Sequence, residues 1–307
     1  MLNDQAASLR AMQQNKQHAV TQNEASASSG FKPQKSTPSR PIRVISVASG
    51  KGGVGKTNVS VNLGVSLSQM GHRVLLMDAD MGLANVDILL GLQTPYNLSH
   101  VLDGQKTLRE VIVDGPAGLK IIPAASGVKR MAQLNVMENA GIINAFTELA
   151  DDFDVLIVDT AAGIADSVVS FCRASQDVVV VVTDEPASIT DAYALIKVLH
   201  KDYGVTRFRL LANMVAGPQE GKLLYRKMSA VTEKFLNISL DYLGHVPYDN
   251  RLKQAVQRQQ PVTLLPQPSK AADAFYEMAQ KINRWPIPNE MSGYIQFFVE
   301  NLFQGKS

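Results

Sequence analysis

Residues 49–57 read "SGKGGVGKT". Within them Gly50, Gly55, Lys56 and Thr57 satisfy the pattern G-x-x-x-x-G-K-[ST]. This spacing suits the binding of a nucleotide's phosphates. Glycines let successive backbone N–H groups wrap an anion, and a helix N-terminus placed behind them favours negative charge. Gly50, Gly52, Gly53, Val54, Gly55, Lys56, Thr57 and Asn58 are therefore expected at the phosphates. Lys56 is expected to neutralise the β- and γ-phosphates, and the Thr57 hydroxyl to reach Mg²⁺. The loop carries a second lysine, Lys51, which a single phosphate site does not require.

Such a loop works only between a strand and a helix, and both are legible. "IRVISVAS" (42–49) reads as a strand, and "TNVSVNLGVSLSQMG" (57–71) as a helix closed by Gly71. Further apolar, β-branched runs follow: "RVLLMDAD", "GLKIIPA", "FDVLIVDT", "DVVVVVTD", "FRLLANMV" and "ISLDYLGHV". They are apolar on successive residues, which suits strands buried on both faces. The expected class is α/β: a mostly parallel twisted sheet with helices on both faces. Three zones are expected: a polar tail over 1–41, a nucleotide-binding domain over 42–285, and a C-terminal segment over 286–307, set off by "PIP" (286–288). The tail, rich in Gln, Ser, Lys and Pro, reads as a flexible linker.

"KGGVGKT" resembles the deviant phosphate loop of the MinD/ParA family of P-loop ATPases. The resemblance implies that Lys51 reaches phosphates bound in a second subunit, so that the chain is a homodimer when ATP-bound. "LLMDADMGLANVD" (75–87) is similar to that family's switch I. By that likeness Asp80 orients the attacking water, Asp78 supports the Mg²⁺ shell and Asn85 orders the switch. "VLIVDTAAG" (155–163) resembles its metal-binding strand and switch II, with Asp159 holding Mg²⁺ through water and Gly163 sensing the γ-phosphate. "LLANMV" (210–215) ends in a segment where the family reads the base through an asparagine, here Asn213. An amide both donates to and accepts from an adenine edge. Pro247, Tyr248 and Asp249 in "VPYDN" would form the other wall. The guanine signature N-K-x-D is absent, since Met214, Val215 and Ala216 follow Asn213. ATP with Mg²⁺ is expected rather than GTP.

Bulk properties narrow the branch. The 307 residues carry a formal net charge of +2, which gives little attraction to nucleic acid, and no direct nucleic-acid contact is expected. The single cysteine, Cys172, cannot supply the paired cysteines of the cluster-carrying and reductase relatives. It falls on an apolar helical stretch and reads as a structural thiol. No secretory signal or membrane-spanning run is evident, so the expectation is cytoplasmic.

The two ends are more specific. "DQAASLR" (4–10) resembles an element of the FlhG/FleN family, the MinD-like regulators of flagellar number. The likeness implies that Asp4, Gln5, Leu9 and Arg10 bind FlhF, a signal-recognition-type GTPase. At the other end, a helix over 291–304 would gather Met291, Tyr294, Ile295, Phe298, Val299, Leu302 and Phe303 on one face. This is similar to the amphipathic membrane-targeting helix of MinD-like proteins, although few basic residues flank it. Docking of the helix on its own domain is the alternative, and the two could alternate with nucleotide state. The family resemblance implies an ATPase that cycles to the inner face of the cytoplasmic membrane. It would act on FlhF, on a flagellar master transcription activator and on flagellar C-ring components. Division-site placement and DNA partition are the rivals.

Overall fold

A computed structural model describes residues 41–80, 85–123, 136–286 and 295–303. The side chains of 136–140, 295–297 and 303 fall outside it. The DQAASLR element and residues 11–40 of the expected linker lie outside the described residues.

Among the described residues eight strands form one sheet, in the order β3-β4-β2-β5-β1-β6-β7-β8. They are β1 (Arg43–Ser49), β2 (Val74–Ala79), β3 (Val113–Asp114), β4 (Lys120–Ile122), β5 (Val155–Ala162), β6 (Asp177–Val182), β7 (Phe208–Val215) and β8 (Asp241–Pro247). All pairings are parallel except β3 with β4. The seven strands expected from the sequence are present, several trimmed by a few residues. The two-residue β3 was not anticipated, because an edge strand so short carries no periodicity to read.

The helices are α1 (Lys56–Gln69), α2 (Val86–Leu90), α3 (Leu98–Leu102), α4 (Leu108–Val111), α5 (Val136–Thr147), α6 (Asp166–Ala174), α7 (Pro186–Tyr203), α8 (Pro218–Leu236), α9 (Asn250–Gln257), α10 (Lys270–Asn283) and α11 (Ile295–Phe303). Every residue of β1, β2 and β6 is buried, as a strand covered on both faces requires. Alternate residues serve opposite layers. Ile45 and Val47 pack with α1 and α10, whereas Val44 packs with α5 and α6, and Ala48 with α6 and α7. Cys172 is fully buried on α6, and burial pushes its thiol up to about 12, so it is an unreactive packing residue.

Arg43, at the start of β1, ties the domain's first strand to its last large helix. Its guanidinium donates to the carbonyls of Ile282, Trp285 (2.8 Å) and Pro286 (3.3 Å). α11 then packs against the same domain. Phe298 and Val299 are fully buried, Phe298 stacks on Phe171 with centroids 6.5 Å apart, and Arg173 donates to the Asn301 carbonyl at 2.7 Å. Among the described residues no helix is long and apolar enough to cross a membrane.

Candidate functional site

The site lies at the carboxyl ends of β1, β2, β5 and β7, where a parallel sheet collects loops. Between β1 and α1, Gly53 (φ 79°) and Gly55 (φ 87°) adopt left-handed backbone that a side chain would strain. Gly50 is required for a different reason: a Cβ there would overlap the backbone of Asp191 on α7. The loop can therefore curl only because α7 leans on a glycine.

Lys56 and Lys51 have separate surroundings. Lys56 is buried, and its Nζ lies 3.2 Å from Asp159 Oδ1. Lys51 is exposed, and its Nζ lies 2.7 Å from Glu185 Oε2, just ahead of α7. Lys56 lines the cleft beside the loop, and Lys51 does not.

Asp159 is fully buried on β5. Burial raises its pKa, opposed by the Lys56 charge and by the Thr57 and Ser60 hydroxyls; Ser60 Oγ donates to Oδ1 at 2.9 Å. Its other oxygen, Oδ2, is buried and accepts no hydrogen bond of normal geometry among the described residues. A buried carboxylate oxygen left over in this way fits a cation with its water shell. Thr57, which lines the adjoining cleft, supplies the hydroxyl.

Asp78 sits beside Asp159 in the β2–β5 register and is raised to about 6, by burial first and by the Asp159 charge second. Its two oxygens are engaged: Oδ1 accepts from the Asp80 N–H, and Oδ2 from the N–H groups of Asn85 and Val86, each at 3.1 Å. The structure thus gives Asp78 the work of pinning both ends of the switch I loop. Asn85 adds a second tie, its Nδ2 donating to Asp80 Oδ2 at 3.3 Å. Residues 81–84 lie outside the described residues. On the other side Gly163 (φ 93°) donates its N–H to the Ser49 carbonyl at 2.9 Å, joining switch II to the strand that leads into the phosphate loop.

A cleft of about 560 Å³ joins these parts. Gly52, Gly53, Gly55, Lys56, Thr57, Asn58, Asp80 and Asn85 line it, with Ile88, Met214, Val256 and Gln259. The base-side residues expected from the sequence are differently disposed. Asn213 is buried, and its Nδ2 donates to the Val54 carbonyl at 2.7 Å, bracing the phosphate loop from below. Pro247 and Tyr248 follow at the end of β8, with Tyr248 exposed and its N–H on the Val215 carbonyl at 2.9 Å. Asp249 caps two helices at once. Oδ1 accepts from the Arg251 N–H at 2.8 Å; Oδ2 accepts from Ser269 Oγ at 2.7 Å and the Ala271 N–H at 3.1 Å. Burial works against its charge, but these donors hold its carboxyl below the usual range. Met214, Val256 and Gln259 escaped the sequence reading. The one signal that could have marked Met214 was its place directly after Asn213.

A family model described as "ParA: NUBPL iron-transfer P-loop NTPase" matches residues 41–283. The antiactivator FleN of Pseudomonas aeruginosa is 55% identical over 264 residues, covering 86% of this chain and 94% of that protein. The chain belongs to the FlhG/FleN family of MinD/ParA-type P-loop NTPases. Another relative, the flagellum site-determining protein YlxH of Helicobacter pylori, is 39% identical, with 70% of this chain and 73% of that one covered. Among solved structures, the MinD cell division protein of Aquifex aeolicus superposes with a TM-score of 0.61 at 25% identity, over 81% of this chain and 99% of that one. The chain thus has the fold expected of it, and its phosphate loop, both lysines and both switch aspartates stand near the carboxyl ends of β1, β2 and β5.

Proposed function

We propose that this chain is an ATP-driven regulator of flagellar number. The observation that carries the reading is the 55% identity to an antiactivator across 86% of the chain, combined with the cleft lined by Lys56, Thr57 and Asp80. In this reading ATP binds with its β- and γ-phosphates on the glycine loop and Lys56. Asp159 and Thr57 hold Mg²⁺, with Asp78 behind them fixing the switch. Bound Mg²⁺ supplies neutralisation of charge on the phosphates. Asp80, held by Asn85, orients the attacking water, and the Gly163 N–H exchanges its bond to the Ser49 carbonyl for the γ-phosphate, which carries the signal to switch II. Asn213 and the segment Pro247–Asp249 favour adenine.

Lys51, free of its own cleft, is suited to reach the nucleotide of a second copy, so ATP serves as a ligand shared by two subunits. α6 begins at Asp166, shortly after Gly163, and carries the Phe171 that packs on Phe298. A movement of switch II on ATP binding would reach that packing and release Phe298, Val299 and Leu302 for the inner membrane. Met291 and Tyr294 lie outside the described residues, as do the side chains of Ile295 and Phe303; they complete the same apolar face in this reading. Two helices per dimer then bind lipid together. Hydrolysis returns a cytoplasmic monomer. The partners are FlhF through Asp4, Gln5, Leu9 and Arg10, a flagellar master activator of transcription, and C-ring components. Iron transfer, the activity in the matching model's description, is not adopted, because the chain has one cysteine.

The test is a count of flagella per cell by electron microscopy in a strain lacking the protein. An excess over the parent is the expected result. A normal count with minicells would favour division-site placement instead. A normal count with normal division would remove the flagellar assignment.

A further inference from the structure

Gln259 stands two residues beyond the end of α9 with φ 54°, left-handed backbone normally left to glycine or asparagine. Its N–H meets the Val256 carbonyl at 3.0 Å, and Gln260 closes the turn onto Ala255, also at 3.0 Å. A side chain kept in such a conformation invites a search for what it does. It crosses the mouth of the cleft: Nε2 donates to the Ile88 carbonyl of α2 at 2.9 Å. The receiving end is shaped for it. Gly91, the left-handed cap of α2 (φ 63°), lies so close that a Cβ there would stand 3.0 Å from Gln259 Oε1.

The two ends of this link belong to different parts of the site. α9 is capped by Asp249, which closes the base-side segment Pro247–Asp249, and Val256 of α9 lines the cleft directly. α2 follows directly on its N-cap Asn85, which holds Asp80. We propose that Gln259 is a positioning residue that couples the base side of the cleft to switch I. It holds α2, and through Asn85 the carboxylate of Asp80, in register with a nucleotide seated against α9. The proposal rests on the ATPase reading above and adds to it a route by which the enzyme tells adenine from guanine.

Gln259→Gly separates the link from the fold, since glycine accepts φ 54° without strain. Gln259→Glu keeps the size and deletes the donor, and Gln259→Lys keeps a donor within reach. The full chain is assayed with MgATP and MgGTP, and hydrogen exchange is followed at the amides of 86–92. The expected result is a kcat for ATP reduced about tenfold in Gln259→Gly and Gln259→Glu, with KM within about twofold. The ATP-over-GTP difference in kcat should shrink with it, and Gln259→Lys should recover most of the loss. Exchange in α2 should slow when ATP binds to the unmodified chain and not when it binds to Gln259→Gly. Unchanged kcat in Gln259→Gly, even with faster exchange, would make Gln259 a mere brace and overturn the proposal. If the unmodified chain turns over no ATP, the ATPase reading fails, and the exchange comparison alone decides the coupling: equal ATP-dependent slowing in both proteins overturns it.

Discussion

The two halves of the cleft are built on opposite plans. On the phosphate side charged groups are buried and answer each other: Lys56 with Asp159, and Asp78 with three backbone N–H groups of switch I. On the base side, Asn213 Nδ2 and both oxygens of Asp249 hold the framework, while Met214 and Tyr248 stand exposed. The phosphate half is rigid and electrostatically tense, and the base half is propped by residues serving two masters. On the proposed function, the difference teaches that affinity and selectivity would be stored separately. Chemistry common to all nucleoside triphosphates sits in buried charge, where each group is worth most. On the proposed function, choice among bases would sit in residues whose loss also loosens the loop.

Four substitutions would break or sharpen this contrast. The largest effect is expected from Lys56→Ala, which leaves Asp159 buried without its cation. ATP affinity by calorimetry should fall at least about a thousandfold, since charge-assisted contacts to phosphate vanish. The fold should lose about 3 kcal/mol in denaturant unfolding. A variant that still bound ATP well would show that the backbone loop alone carries affinity.

Next is Asp80→Ala, which removes the group that Asn85 holds toward the cleft. Hydrolysis should drop about a hundredfold while binding persists, so a stable ATP dimer should appear on sizing columns. Rapid turnover would take Asp80 out of its role. Asn213→Ala comes third and touches both halves. Losing the bond to the Val54 carbonyl should cost about 1 kcal/mol of stability, and the preference for ATP over GTP should narrow about tenfold, read by competition binding. An unaltered preference would mean that base choice lies elsewhere.

The smallest effect on the isolated chain is expected from Lys51→Ala. Its pairing with Glu185 is exposed, and such pairs contribute less than about 1 kcal/mol. Thermal stability and ATP affinity should therefore stay within error of the unmodified protein, while the ATP-dependent dimer is lost. Dimerisation of this variant with ATP would end the assignment of Lys51 to a second subunit.

The same contrast explains what the sequence made legible. Seven strands were readable because each carries a short run of apolar residues, β-branched above all in β1, β5 and β6. The phosphate half was readable because Gly50, Gly53, Gly55, Lys56, Asp78 and Asp159 are fixed by local geometry close to those strands. The base half was less so. That Asn213 would brace Val54, or that Asp249 would cap α9 and reach Ala271, depends on segments brought together from far apart in the chain. Gln259 was invisible for the same cause: nothing around residue 259 hints that its partner is at 88. Docking of α11 was foreseen only as one of two options, because an apolar helical face specifies that it will be covered and not by what.

That docking carries a practical consequence. Phe298 and Val299 are part of the same apolar cluster as Phe171, Phe146 and Leu156. A version of the protein cut off after Trp285 would therefore have an open wound in its interior, with Phe171 facing water. Such a truncation would be prone to clump, and its failure to reach a membrane or a flagellar pole would say little about lipid. Replacing Phe298 alone in the full-length chain, with solubility measured alongside localisation, is the cleaner way to ask what the last helix is for.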